Sequence, residues 1–146
     1  MIDGVIIKNI ESNEDDRGFF REIFKLKDNN NIKISQVSHS LVKEQVIKGW
    51  HGHQLQHQWN YILSGSANII LYDDRIDSPT YTEKQQFTID SISENMYYYF
   101  PPGVLHGYKC TKGPMHIIYA TSGLYDLNEE IRKDLSYKNL DSHLSL

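Results

Sequence analysis

The sequence predicts an all-β domain, and three observations carry that prediction. Apolar and polar residues alternate along most of the chain, as in Ile32-Lys33-Ile34-Ser35, which is the period of a half-buried strand. The apolar runs are short and rich in β-branched and aromatic residues, the types that suit a pleated surface. Clusters of Gly, Pro, Asn and Asp separate them. A chain of 146 residues is expected to build one domain, 1–146, around one core. Nine short strands suit a sandwich or a barrel.

The elements follow in order. Strands are expected at residues 4–10, 18–25 and 32–41, with a turn signal at residues 27–31. Two more, at 58–63 and 67–72, flank the turn-forming Leu63-Ser64-Gly65-Ser66. After Asp77-Ser78-Pro79 come strands at 84–89 and 96–100. Pro101-Pro102-Gly103 then leads to a strand at 107–110, and Lys112-Gly113-Pro114 to one at 115–121. One short C-terminal helix is expected after Asp126, because Leu127, Ile131 and Leu135 recur every four residues. The tail from Asn139 onward is expected to fray.

Composition narrows the function. The 15 Lys and Arg against 19 Asp and Glu give a formal charge of −4, which argues against a nucleic-acid footprint or an anionic membrane surface. The longest apolar runs, residues 4–7 and 69–72, are far too short to span a bilayer. No export signal opens the chain, so the cytoplasm is the expected compartment. The lone Cys110 excludes an internal disulfide and reads as a small buried hydrophobe.

The densest chemistry lies in Lys48-Gly49-Trp50-His51-Gly52-His53-Gln54-Leu55-Gln56-His57-Gln58. On a strand His51 and His53 project to the same face, so two imidazoles can share one cavity. A second segment, Pro101-Pro102-Gly103-Val104-Leu105-His106, puts another histidine just after a tight turn. Together these segments resemble the two motifs of the cupin superfamily, a double-stranded β-helix or jelly-roll barrel. Gln58 stands where that family usually has glutamate. The resemblance implies that His51, His53, Gln58 and His106 line the barrel mouth. The same four residues are the alternative metal set, for a divalent ion, although the neutral Gln58 leaves the ion's charge uncompensated.

Further segments resemble one branch of that superfamily, the dTDP-4-dehydrorhamnose 3,5-epimerase family. They are Asp16-Arg17-Gly18-Phe19-Phe20-Arg21-Glu22, Gln36-Val37-Ser38-His39-Ser40, Lys48-Gly49-Trp50-His51, Asp73-Asp74-Arg75-Ile76-Asp77-Ser78-Pro79-Thr80-Tyr81, residues 101–107, and Tyr119 followed by Tyr125 and Glu130. They fall in family order from about residue 5 to 132. The resemblance implies an epimerase of a nucleoside-diphosphate 4-keto-6-deoxyhexose, inverting carbon 3, carbon 5 or both, with no redox cofactor, in a homodimer whose N-terminal strand crosses to the partner; given the neutral Gln58, no metal is expected. It implies His51 as the catalytic base and Tyr119 as the acid, although alternation alone would make Tyr119 a core tyrosine. Neutral imidazole accepts a proton near pH 7, and tyrosine arrives protonated. Arg17, Phe20, Glu22 and Gln36 match substrate positions at the nucleotide end, and Tyr125 matches a second site tyrosine. His53 and His106 join them as binding residues. Arg75 either binds phosphate or pairs with Asp73 or Asp74, and the pairing is favoured.

Three departures accompany the resemblance. Lys48 replaces the family's arginine, keeping the charge without the planar fork. Tyr61 stands where many members have a lysine, and it is carried as a substrate-binding candidate. The family's aspartate partner of the base lies in a C-terminal extension beyond residue 146, which leaves Asp73, Asp74 or His53 as stand-ins. The paired histidines and the segment 125–132 also resemble the sugar 3,4-ketoisomerases, which supply the second enzymatic reading. A barrel that binds a sugar nucleotide or a metal without turnover is the noncatalytic one.

Overall fold

The computed structural model describes residues 1–25 and 31–144, so the turn expected at 27–31 lies largely outside the described residues. The strands are β1 (Ile6–Asn9), β2 (Ser12–Asp15), β3 (Gly18–Arg21), β4 (Gln36–Val42), β5 (Ile47–His53), β6 (Gln58–Asp73), β7 (Lys84–Asp90), β8 (Met96–Phe100), β9 (Val104–Thr121) and β10 (Glu130–Arg132). A distorted 3₁₀ segment, Tyr137–His143, follows them.

The 16 residues of β6 and the 18 of β9 pair antiparallel along their whole length, from Gln58 opposite Thr121 to Asp73 opposite Val104. Each covers two of the expected strands. The turn signals inside them mark a corner of the ribbon, where the register shifts around Ser64 and Ser66. Gly65 has φ +89 there, and a Cβ on it would stand 2.6 Å from the Lys112 carbonyl oxygen. The corner therefore needs a glycine.

Folding the ribbon at this corner creates two sheet halves. One half holds β7, the second part of β6, the first part of β9, β5 and β10. The other holds β1, β8, the first part of β6, the second part of β9 and β4. Between them lies the main core, with Ile69, Leu71, Tyr98, Phe100, Val104, Cys110 and Ile117 buried together. This is the jelly-roll layout, and Cys110 is the buried hydrophobe expected of it.

Both outer faces are covered as well. Trp59, Tyr61, Tyr97 and Tyr99 pack beneath the N-terminal segment, against Ile10, Ile23 and Phe24. Ile70, Tyr72, Trp50 and Leu105 pack beneath the C-terminal segment, against Leu140 and Leu144. Double coverage explains why Ile69-Ile70-Leu71-Tyr72 is apolar without alternation. Fully burying a side chain of this size contributes roughly 1.5–3 kcal/mol, so Leu140 and Leu144 anchor the tail. The fraying expected from Asn139 onward is corrected on that ground for residues 139–144, and the last two residues lie outside the described ones. The expected helix after Asp126 is corrected too: β10 occupies its middle, with Ile131 opposite Gly52 of β5, and the helical turn comes later, at the 3₁₀ segment. No helix among the described residues is long and apolar enough to cross a membrane.

Candidate active site

Strand β5 buries Trp50 and Gly52 on one side and turns His51 and His53 to the other. The close approach of its neighbours dictates the glycines. A Cβ on Gly52 would meet the Leu105 side chain at 2.9 Å, and one on Gly107 would run into the Trp50 ring. The Trp50 indole donates to the Leu135 carbonyl oxygen, 2.8 Å away, which fixes the strand. Because His51 lies opposite His106 in the register, the third imidazole joins the same wall, with ring centroids 6.1 Å apart. The His53 ring lies 6.4 Å from that of His106.

The three imidazoles face a cavity of about 230 Å³. Gln58 and Tyr119 line it from the other sheet half, and Lys48 and Glu130 also contribute to its wall. His51, His53, His106, Gln58, Lys48 and Tyr119 are thus brought together as expected. Glu129, Glu130 and Tyr108 join the site, although the sequence motifs give them no functional role.

Strand β10 gives the two histidines different hydrogen-bond partners. The His51 Nδ1 lies 3.2 Å from Glu130 Oε1, while Glu130 Oε2 accepts from Arg132 at 3.1 Å. Burial raises the Glu130 carboxyl's affinity for a proton, but bonds from Arg132 and His51 outweigh it and hold the group below the ordinary carboxylate range. Glu130 therefore accepts the Nδ1 proton of His51 and leaves its Nε2 uncommitted. His53 has both nitrogens engaged, Nδ1 with Glu129 Oε2 at 2.7 Å and Nε2 with Gln58 Oε1 at 2.9 Å. Glu129, 7% exposed, also accepts the backbone N–H groups of Leu55 and Gln56. Gln58 passes the chain on to Asn60, and Asn60 to the Tyr98 hydroxyl.

His106 is held neutral. Burial first, then the neighbouring His51 and His53, push its proton affinity well below that of free imidazole, and its Nδ1 has no hydrogen-bond partner among the described residues. On the opposite wall the Tyr119 hydroxyl lies 2.7 Å from that of Tyr108, which stands beside His106 on the first half of β9. Burial raises the Tyr119 pKa, while bonds to Tyr108 and Ser40 pull the other way.

Two donors of the alternative metal set are committed, while His51 and His106 each keep a ring nitrogen open. His53 and Gln58 bond each other, and His51 spends Nδ1 on Glu130. Among the described residues no group of three or more His, Cys, Asp or Glu side chains is placed to hold an ion. Binding an ion with all four would require the His53–Gln58 bond to break.

The remaining candidates lie outside the cavity. Tyr61 points to the opposite face from Gln58 and Asn60, because strand neighbours alternate, and its hydroxyl bonds Arg21 and Asn95. Gln36 accepts the backbone N–H of Tyr125, and the Tyr125 side chain is exposed. Arg17, Phe20 and Glu22 sit on or beside the exposed β2–β3 hairpin, with Arg17 bonded to Asp15 and Glu22 to Lys25. Asp73 and Asp74 are not the stand-ins for the base's partner. Asp73 is fully buried and gathers Arg75, Ser78 and Thr80, which also settles Arg75 as structural, and Asp74 accepts from Tyr137.

The family model of dTDP-4-dehydrorhamnose 3,5-epimerase matches residues 1–143. The spore coat polysaccharide biosynthesis protein SpsL of Bacillus subtilis is 34% identical over 138 residues, covering 94% of this chain and 91% of that protein. The probable low-salt glycan biosynthesis epimerase Agl13 of Haloferax volcanii is 28% identical, with 93% and 88% covered. Among solved structures, the Legionella pneumophila epimerase RmlC in complex with dTDP-4-keto-L-rhamnose superposes with a TM-score of 0.85 at 23% identity, covering 99% of this chain and 78% of that one. ChmJ, a 3'-monoepimerase from Streptomyces bikiniensis, gives 0.86 at 20% identity, with 99% and 75% covered. With its jelly-roll fold, its histidine wall facing a tyrosine, and a family match over nearly its whole length, this chain belongs to the dTDP-4-dehydrorhamnose 3,5-epimerase family.

Proposed function

We propose that the protein epimerises a nucleoside-diphosphate 4-keto-6-deoxyhexose at a carbon flanking the ketone. What supports this most directly is one uncommitted base and one acid on opposite walls of a single cavity, His51 on β5 and Tyr119 on the second half of β9. A ketone at carbon 4 acidifies the C–H bonds at carbons 3 and 5, so neutral imidazole is base enough. The C–H bond breaks, its proton goes to His51 Nε2, and its electron pair forms the enolate. Tyr119 then gives its proton to the opposite face of the same carbon, which restores the ketone with inverted configuration. Solvent returns His51 and Tyr119 to their starting states. Lys48 and the neutral His106 are the groups that can hydrogen-bond the enolate oxygen. The chemistry as proposed needs neither metal nor redox cofactor.

The cavity has room for a sugar ring and not for a nucleoside diphosphate as well. The hairpin residues Arg17, Phe20 and Glu22 are exposed and away from their own chain's cavity, which supports a homodimer in which each hairpin reaches the partner's site. There Arg17 offers a fork to the diphosphate and Phe20 a ring to the base. The names of the two relatives support a place in polysaccharide or glycan biosynthesis, and nucleotide-sugar chemistry goes with the cytoplasm.

The rival ketoisomerase reading requires both histidines to carry protons, and the engagement of both His53 nitrogens favours the epimerase. A noncatalytic barrel has no use for a base oriented by a carboxylate. The deciding experiment follows dTDP-4-keto-6-deoxyglucose in deuterated water by NMR. His51→Asn is expected to abolish deuterium uptake, and Tyr119→Phe to retain uptake without inversion. A 3-keto product that survives in Tyr119→Phe and disappears in His53→Asn would establish the ketoisomerase instead.

A further inference from the structure

The corner in the β6–β9 ribbon brings the two halves of β9 face to face across the barrel interior. Tyr108, on the first half, is 3% exposed and packs in the main core. Tyr119, on the second half, packs against that core and lines the cavity. Their hydroxyls meet at 2.7 Å, although 11 residues separate them in the chain. The direction of this bond follows from burial. The hydroxyl of Tyr108 has Tyr119 as its hydrogen-bond partner, so pointing its proton elsewhere would leave a buried donor unmade. Both tyrosines line the cavity, but Tyr119 is the more exposed of the two and can turn its own proton into it. The Ser40 side chain, from β4, lies near enough to favour the ionised Tyr119 as well.

We propose that Tyr108 is the positioning residue of the acid: its buried hydroxyl donates to the Tyr119 oxygen, aims the Tyr119 proton at the substrate, and holds the tyrosinate left after transfer. This assignment rests on the reading of Tyr119 as the acid. A bond to a forming anion is stronger than the same bond to a neutral oxygen, so the contact grows as the proton leaves. Other groups face the pair. Tyr98 approaches Tyr119 from β8, and Cys110 lies beside Tyr108. Lys48, His51 and His53 from β5, His106 from β9 and Glu130 from β10 border the same cavity.

Two measurements on Tyr108→Phe, which removes only the oxygen, test the assignment. The first uses protein labelled with fluorotyrosine, in which Tyr119 is identified by the resonance missing from Tyr119→Phe. Its titration midpoint is expected to rise by about one pH unit in Tyr108→Phe, a tenfold weaker acid. Tyr98→Phe, which removes a hydroxyl bonded to Asn60, is expected to leave the midpoint in place. An unchanged or lower midpoint in Tyr108→Phe overturns the assignment. The second follows dTDP-4-keto-6-deoxyglucose in deuterated water. Inversion is expected to fall about ten- to a hundredfold while deuterium uptake stays within about twofold. Parallel loss of both would make Tyr108 a packing residue only. Should wild-type protein neither exchange nor invert this substrate, the epimerase reading fails and the phenol titration still decides the hydrogen bond.

Discussion

Glu130 is the residue whose replacement says most about the site. Its Oε1 faces His51 Nδ1 at 3.2 Å and its Oε2 accepts from Arg132 at 3.1 Å. In the proposed mechanism His51 takes up the substrate's proton, and the bond to Glu130 becomes one between an imidazolium and a carboxylate. Bonds to charged groups contribute about 1.5–3 kcal/mol, so Glu130→Ala is expected to slow turnover roughly 10- to 150-fold. Glu130→Gln keeps the shape and is expected to do more harm. Arg132 can only donate, so the glutamine turns its carbonyl oxygen toward Arg132 and its NH₂ toward His51. An amide donating to Nδ1 forces the proton onto Nε2 and removes the base. In the Ser-His-Asp triad of serine proteases a wrong tautomer of this kind lowers kcat about 10⁴-fold, and a loss on the order of 10²- to 10⁴-fold is expected here. The assay is the rate of deuterium incorporation beside the ketone, with KM measured alongside, because a positioning residue moves kcat more than binding. Adding Arg132→Ala to Glu130→Gln is expected to recover part of the loss, since the amide is then free to turn back. A Glu130→Gln protein within about twofold of wild type would refute the tautomer argument.

Three further outcomes are expected. Exhaustive dialysis against a strong chelator is expected to leave turnover unchanged, because His53 and Gln58 are committed to each other; loss restored by one divalent ion would reinstate the metal set. Mixing inactive His51→Asn with inactive Arg17→Ala/Phe20→Ala is expected to recover roughly a quarter of the sites, since half of randomly paired two-fold dimers are mixed and each then holds one intact site; no recovery would place the hairpin in its own chain's site. An unfolded chain protonates His106 below about pH 6.5 and the folded one resists it, so folding stability is fully present above that pH and falls below it by about 1.4 kcal/mol per pH unit. Denaturant titrations of wild type and His106→Asn between pH 7 and 5 are expected to converge as the pH falls; parallel curves would remove His106 as a neutral buried group.

The sheets and the histidine wall were legible in the sequence because both depend on local alternation. His51 and His53 share a face by the two-residue period alone, and the same period puts Tyr108 beside His106, a signal equally present in the sequence. It also sets Tyr61 on the face opposite Gln58 and Asn60, so proximity to the motif was a weaker guide than phase. What could not be read locally was continuity. Leu63-Ser64-Gly65-Ser66 breaks an apolar run whether the chain reverses or turns a corner, and only pairing with β9 decides which. The Leu127, Ile131 and Leu135 spacing fits a helix, yet Leu127 is exposed, Ile131 packs on the outer face of β5's sheet, and the backbone of Leu135 is taken by Trp50. Three residues at one spacing are too few to outweigh a free sheet edge that needs a partner.

That edge matters for the chemistry. His51 and His53 are equivalent in the sequence and become different only when β10 closes against them. Adjacent carboxylates arrive together, one for each imidazole, but Glu129 is captured by two backbone N–H groups while Glu130 is shared only with an exposed arginine side chain. Gln58 then takes the remaining nitrogen of His53. Removing Glu129 would strand two backbone donors and an imidazole, each at about 1–3 kcal/mol, so its bonds act on the folding equilibrium. Removing Glu130 strands little in the resting protein and, in the proposed mechanism, acts when His51 gains a proton. One short strand therefore divides an apparently symmetric His-Gly-His pair into a member held at both nitrogens and the one proposed as the base, and Gln58, standing where cupins usually carry glutamate, is the residue that completes the division.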